Sequence, residues 1–130
     1  MIDFFTAQMN VGKALKGRDD YRFIDTTFRS TDVLGQLLAP TEEMVKGVKY
    51  RGMSERAYRH QYISRLKSNS AEITEQLSGE SNVLVFACYC GVDCFCHRHL
   101  LRDWLLARVG GCFLGELTTK QIGEIDATKG

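Results

Sequence analysis

Four thiols, two imidazoles and one guanidinium crowd into residues 88–99, as Cys88, Cys90, Cys94, Cys96, His97, Arg98 and His99. A cysteine attacks as its thiolate, and a neighbouring guanidinium or the positive end of a helix dipole favours that form. The unpaired amides that open a helix also hold anions. Cys88, Cys96 and His97 are therefore candidate catalytic residues, the cysteines as reactive thiols, and Arg98 is a candidate anion ligand.

The stretch supports three readings. The first is a Cys/His/Arg pocket that binds or works on a ligand. The second is bound zinc held by Cys88, Cys90, Cys94 and Cys96. Thiols and imidazoles here exceed the four donors of a tetrahedral site, but the chain has Cys-x-Cys twice where a zinc knuckle has paired Cys-x-x-Cys. The third is packing, since free cysteine is among the most buried residue types. Phosphate-cradling loops carry an arginine six positions after the nucleophilic cysteine. Six after Cys88 stands Cys94 and six after Cys90 stands Cys96, so the stretch departs from tyrosine-phosphatase and rhodanese loops. His97 shares a helical face with Leu101 and Trp104, which favours a packed, hydrogen-bonded ring that orients the loop over a general base.

Residues 83–87, Val-Leu-Val-Phe-Ala, lead directly into the cluster. A continuous apolar run of this length predicts a strand buried on both faces of a parallel sheet. After the cluster, His97, Leu100, Leu101, Trp104 and Arg108 fall along one side of a helix that Gly110 and Gly111 stop. Strand, loop, helix is the order that places ligands beyond the carboxyl ends of strands in open α/β sheets.

Upstream, residues 2–8 and 21–27 predict two more strands, separated by a turn-like region over 10–20, and residues 112–117 predict a last one. Thr41 caps a helix with Glu42 and Glu43 in its first turn, ending near Gly47. Ser54 caps another with Tyr58, Tyr62, Ile63 and Leu66 on one face. Ser68, Asn69 and Ser70 leave open whether that helix continues through Ile73 and Leu77 or restarts. The alternation predicts an α/β fold, a single domain over residues 1–130 with a mostly parallel sheet covered by helices.

The chain has 130 residues, 44% apolar and 25% charged, enough to build a core without a metal or disulfide. Seventeen basic against sixteen acidic side chains give a formal charge of +1, so nonspecific nucleic-acid binding is not expected. No apolar run approaches the roughly twenty residues of a membrane span, and the start lacks a signal peptide's pattern. Five cysteines, four of them within nine positions, fit a reducing compartment better than a secreted disulfide framework. The expected location is the cytoplasm.

These motifs together resemble the family called domain of unknown function 488, in particular short members of a kind found in bacteriophages and bacteria. The carriers are the strand ending in Cys88, the loop, and Cys96-His97-Arg98 followed by His99, Leu100 and Leu101. Upstream, Phe23-Ile24-Asp25-Thr26-Thr27 with Arg29 and Ser30 is similar to the family's strand ending in aspartate with a basic residue after it. Leu38-Ala39-Pro40-Thr41, Lys49, Gly52-Met53-Ser54, Tyr58 and Tyr62 resemble its middle section. The resemblance implies a Rossmann-like fold and a pocket of Asp25, Arg29, Lys49, Tyr58, Cys88, Cys96, His97 and Arg98, with no established activity. Cys90 and Cys94 are additions to the family pattern.

Two functions follow from different classes. One is an enzyme or binding domain for a small anionic, nucleotide-like ligand, with Asp25, Arg29, Lys49, Tyr58 and Arg98 as ligand contacts and Cys88 or Cys96 as the reactive thiol. The other is a non-enzymatic phage or host accessory protein, acting in the bacterial cytoplasm by binding a macromolecule or signalling nucleotide. In the second, the cysteines are structural or hold zinc.

Overall fold

The apolar run at residues 83–87 becomes the strand from which the rest of the sheet is built. The structure, a computed structural model, describes residues 2–89 and 97–129. Four strands are all parallel: β1 (Asp3–Gln8), β2 (Tyr21–Asp25), β3 (Val83–Cys88) and β4 (Cys112–Glu116), in the spatial order β2-β3-β1-β4. The helices are α1 (Met9–Gly12), continued by a 3-10 turn over Lys13–Leu15, then α2 (Val33–Leu38), α3 (Glu42–Tyr50), α4 (Glu55–Ser68), α5 (Ser70–Ser78), α6 (His97–Arg108) and α7 (Thr119–Lys129). This is the α/β arrangement, a parallel sheet covered by helices, that the strand and helix alternation predicts.

β3 is apolar throughout because both its faces are covered. Phe4, Ile24, Leu84 and Phe86 point to one face, where Leu34, Leu38, Tyr62, Leu66, Ile73, Leu101 and Leu105 pack from α2, α4, α5 and α6. Ala7 and Val85 point to the other, against Leu15 and Leu117 with Val11, Ile122 and Ile125 around them. At about 25 cal/mol per Å² of apolar surface removed from water, these two layers supply the main drive to fold.

Side chains fix where the helices begin. Asp32 Oδ1 accepts from the amides of Leu34 (2.9 Å) and Gly35 (3.4 Å) at the start of α2. Thr41 Oγ1 accepts from Met44 N and Ser54 Oγ from Ala57 N, capping α3 and α4. Each such cap contributes about 1 kcal/mol. The open question at residues 68–70 is answered as two helices, broken at Asn69, whose Nδ2 donates to the Leu37 carbonyl at 3.2 Å and ties the break to α2. α6 ends where Gly110, at φ 81°, adopts the left-handed turn that lets its amide bond back to the Leu105 carbonyl.

Three local expectations are corrected, and two helices are added. Residues 10–20 are partly helical, because Val11 and Leu15, four apart, both reach the sheet, and Gly12 lets the backbone sit close to Ala87. α3 runs past Gly47 to Tyr50, since Gly47 is an interior position packed against Met53. α2 and α7 were not anticipated. β2 stops at Asp25, with Thr26 still bonded to the Ala87 carbonyl.

Connections decide where a crevice opens. From β1 the chain leaves along α1 on one face to reach β2, beyond β3. From β3 it leaves toward α6 on the opposite face to reach β4, beyond β1. The neighbouring strands β1 and β3 thus send the chain in opposite directions, and their last pair, Gln8 with Cys88, marks the switch point where ligands bind in open α/β sheets. Among the described residues, no helix is long and apolar enough to cross a membrane.

Candidate functional site

Two parallel strands bring one residue each to a single guanidinium, and a third strand supports one of the two. Arg98, in the first turn of α6, is wholly buried. Its Nη1 donates to Cys88 Sγ at 3.1 Å. Its Nε and Nη2 donate to Oε1 (3.1 Å) and Oε2 (2.8 Å) of Glu116, at the end of β4. Thr6 of β1 is paired in register with Glu116, and its Oγ1 donates to Oε1 at 2.6 Å. A buried charge is tolerated when it is both paired and hydrogen-bonded, and the two-pronged Glu116 clamp meets that condition. The clamp also aims the third guanidinium nitrogen at the sulfur.

This arrangement has a definite chemical capacity. A guanidinium at hydrogen-bond distance favours thiolate over thiol. Burial and the compensating charge of Glu116 act in the opposite direction. Cys88 is 1% exposed.

His97 precedes Arg98 and is buried on the same side of the sheet. Thr26 Oγ1 gives its one proton to the Ala87 carbonyl at 3.0 Å, so His97 Nε2, 3.0 Å from that oxygen, donates in their bond. Burial pushes the ring's pKa below the usual histidine range, the pull of Cys88 and Thr26 notwithstanding, and Arg98 adds to the lowering. The folded ring is neutral at pH 7. Tyr62 packs edge-on against it at 5.5 Å and donates to the Leu38 carbonyl at 2.6 Å, and Tyr58 stacks on Tyr62 at 6.2 Å. His97 is thus packed and hydrogen-bonded.

Asp25 and Arg29 lie elsewhere. Asp25 pairs in register with Ala87, and paired residues of a parallel ladder point to the same face. That face carries α1, with Gly12 against Ala87 and Phe23. Cys88, one residue further along β3, points to the α6 face. Asp25 accepts from the Thr27 amide at 2.8 Å and lines a cleft of about 460 Å³ with Lys13, Lys16, Phe23, Arg29, Ser30 and Tyr89 among its walls. Lys49 is exposed near the carboxyl end of α3, outside this cleft. A smaller cleft of about 270 Å³ contains Arg65, which braces α4 to the chain before it through the carbonyls of Ala39 and Gln36.

Cys90, Cys94 and Cys96 lie outside the described residues. Among the described residues, no three histidine, cysteine or acidic side chains are grouped to hold a metal. Sequence reasoning missed Thr6 and Glu116 on one face and Lys13, Lys16, Phe23 and Tyr89 on the other. The available signal for Glu116 was the one that selected Asp25, an acidic residue ending an apolar strand.

No curated protein and no solved structure shows a match to the chain. A family model, DUF488-N3a, described as the active DUF488-N3 subclade, matches residues 8–109. The matched segment takes in Asp25, Cys88, His97 and Arg98 and stops before Glu116. Covering most of the chain, the match shows that this protein belongs to the DUF488 family.

Proposed function

We propose that this domain binds or acts on a small anionic, nucleotide-like ligand at its strand ends, with Cys88 or Cys96 as the reactive thiol. The observation that carries the reading is the bond from buried Arg98 to Cys88 at the β1/β3 switch point. A structural brace alone has no need of a thiol at that place. The family model's description as an active subclade supports chemistry over a vestigial fold. The nucleotide element rests on the crevice position, which is an argument from architecture.

One observation favours a second reading. Cys88 is buried and Arg98 is already clamped by Glu116, as in a scaffold. On that reading the domain is an accessory protein that binds a macromolecule or signalling nucleotide, with its cysteines packed or holding zinc.

Thermal shift against phosphate, sulfate and nucleotides, on wild type, Cys88→Ser and Cys96→Ser, separates the two. Loss of a wild-type shift in either serine variant, with the unliganded melting temperature kept, supports the thiol centre. Undiminished shifts in both variants sink the thiol's part in binding and leave the anionic ligand standing. Metal mass spectrometry on untagged protein completes the test, since about one zinc per chain with protected thiols favours the scaffold.

A further inference from the structure

The cleft beside β2 has features that the Cys88–Arg98 centre does not use. Lys13, Lys16 and Arg29 line it; neither lysine has a carboxylate within ion-pair distance among the described residues, and the Arg29 guanidinium lies over the Phe28 ring at 5.3 Å, within electrostatic reach of Glu42. By contrast Arg18, Arg22, Lys46, Arg98 and Arg102 are each ion-paired, Arg18 with Asp126. Two carboxylates also face the cleft. Asp32 is committed to the α2 cap and to Arg22 at 3.5 Å. Asp25 gives one oxygen to the Thr27 amide and retains the other.

Position adds to charge. Asp25 ends β2 at the carboxyl edge of the parallel sheet, where a carboxylate with an oxygen to spare can accept from the hydroxyls of a ribose. Phe23 stands two residues before it on the same face and already carries the Lys16 ammonium over its ring, 5.9 Å from the centroid. Tyr89, largely exposed, also lines the cleft. Such aromatic rings offer faces on which bases stack. The volume of about 460 Å³ lies in the range of small-molecule sites.

We infer that this cleft seats a nucleoside monophosphate, its phosphate on Lys13, Lys16 and Arg29, its ribose hydroxyls on Asp25 and its base between Phe23 and Tyr89. The inference deepens the anionic-ligand reading and rests on it for the class of ligand. It also places the ligand's seat on the face opposite the Cys88 side chain, so binding does not require the thiol.

The test is an amide NMR titration of the full chain with adenosine 5′-monophosphate, adenosine and inorganic phosphate in turn. The nucleotide is expected to shift the amides of Lys13, Phe23, Arg29 and Thr31 saturably, more tightly than either fragment. Lys13→Ala/Lys16→Ala, at exposed positions that leave the fold intact, should weaken it at least tenfold. Asp25→Asn should weaken the nucleotide and leave inorganic phosphate unchanged, and Cys88→Ser should bind as wild type. Cleft shifts that survive the double lysine variant overturn the assignment. Shifts centred on Cys88, Arg98 and Glu116 overturn it too, while leaving the anionic-ligand reading intact. No saturable shift with any of the three probes ends both.

Discussion

Removing the Glu116 side chain should destabilise the protein far more than its place on an edge strand suggests. An ordinary surface carboxylate can be cut back for less than about 0.5 kcal/mol. Glu116 is 23% exposed, but its partner Arg98 has no exposure at all, and two of that guanidinium's donors end on its carboxylate. Glu116→Ala leaves this charge buried without its carboxylate and leaves the buried Thr6 hydroxyl without its acceptor. Breaking a buried pair from one side costs about 3–5 kcal/mol. Water reaching the partly exposed Glu116 position offsets some of that, which puts the expected loss near the lower end, about 3 kcal/mol. For a chain of this size that is a fall in melting temperature of about 10 °C.

Urea unfolding followed by circular dichroism reads the loss as a shift in midpoint at constant slope. Thr6→Val, which removes one hydrogen bond to the same carboxylate, should cost about 1 kcal/mol. The apolar replacement Thr6→Val/Arg98→Met/Glu116→Leu removes every charge together and should recover most of the stability, because a well-packed apolar set can equal a buried ion pair. A loss below about 1 kcal/mol for Glu116→Ala would refute the account of Arg98 as a charge held in place by Glu116.

Two other outcomes test the scaffold. A methyl at Gly35 would overlap the Asp25 carbonyl oxygen and Ser30 Oγ, so Gly35→Ala should cost about 3 kcal/mol and displace the 25–30 loop, seen as amide shifts at Asp25 and Ser30. His97 is held below its ordinary pKa first by burial, so the unfolded chain takes up a proton before the folded one as pH falls. Stability is therefore complete above the unfolded value of 6.5 and is lost as pH falls from there toward the folded pKa, with His99 shifted the same way, again first by burial. Urea midpoints at about pH 7.5 and about pH 5 should fall further apart in wild type than in His97→Gln, and equal differences would remove His97 as a cause.

What could be read from the chain, and what could not, divides along the range of the interactions involved. β3 was legible because burial on two faces leaves no polar residue in Val-Leu-Val-Phe-Ala, whatever its neighbours are. α2 escaped notice because its apolar residues are interrupted by Gly35, a glycine required by the close approach of the Asp25–Ser30 loop and not by the helix itself. α7 carries only Ile122 and Ile125 toward the sheet, too few to show a period. Cys88 and Arg98 could be paired by eye, being ten residues apart in one strand-loop-helix unit. The carboxylate that completes their group comes from a strand 18 residues beyond Arg98, and the hydroxyl bonded to it lies 110 residues from Glu116. No local pattern joins those. The sidedness of Asp25 was hidden for a related reason. The sequence shows that Asp25 and Cys88 both end strands, which suggests one shared pocket. Which face each side chain takes depends on register, and here Asp25 meets Ala87 where a slip of one residue would have set it beside Cys88. That single step separates the thiol centre from the cationic cleft, and it is a property of strand pairing that neither strand carries alone.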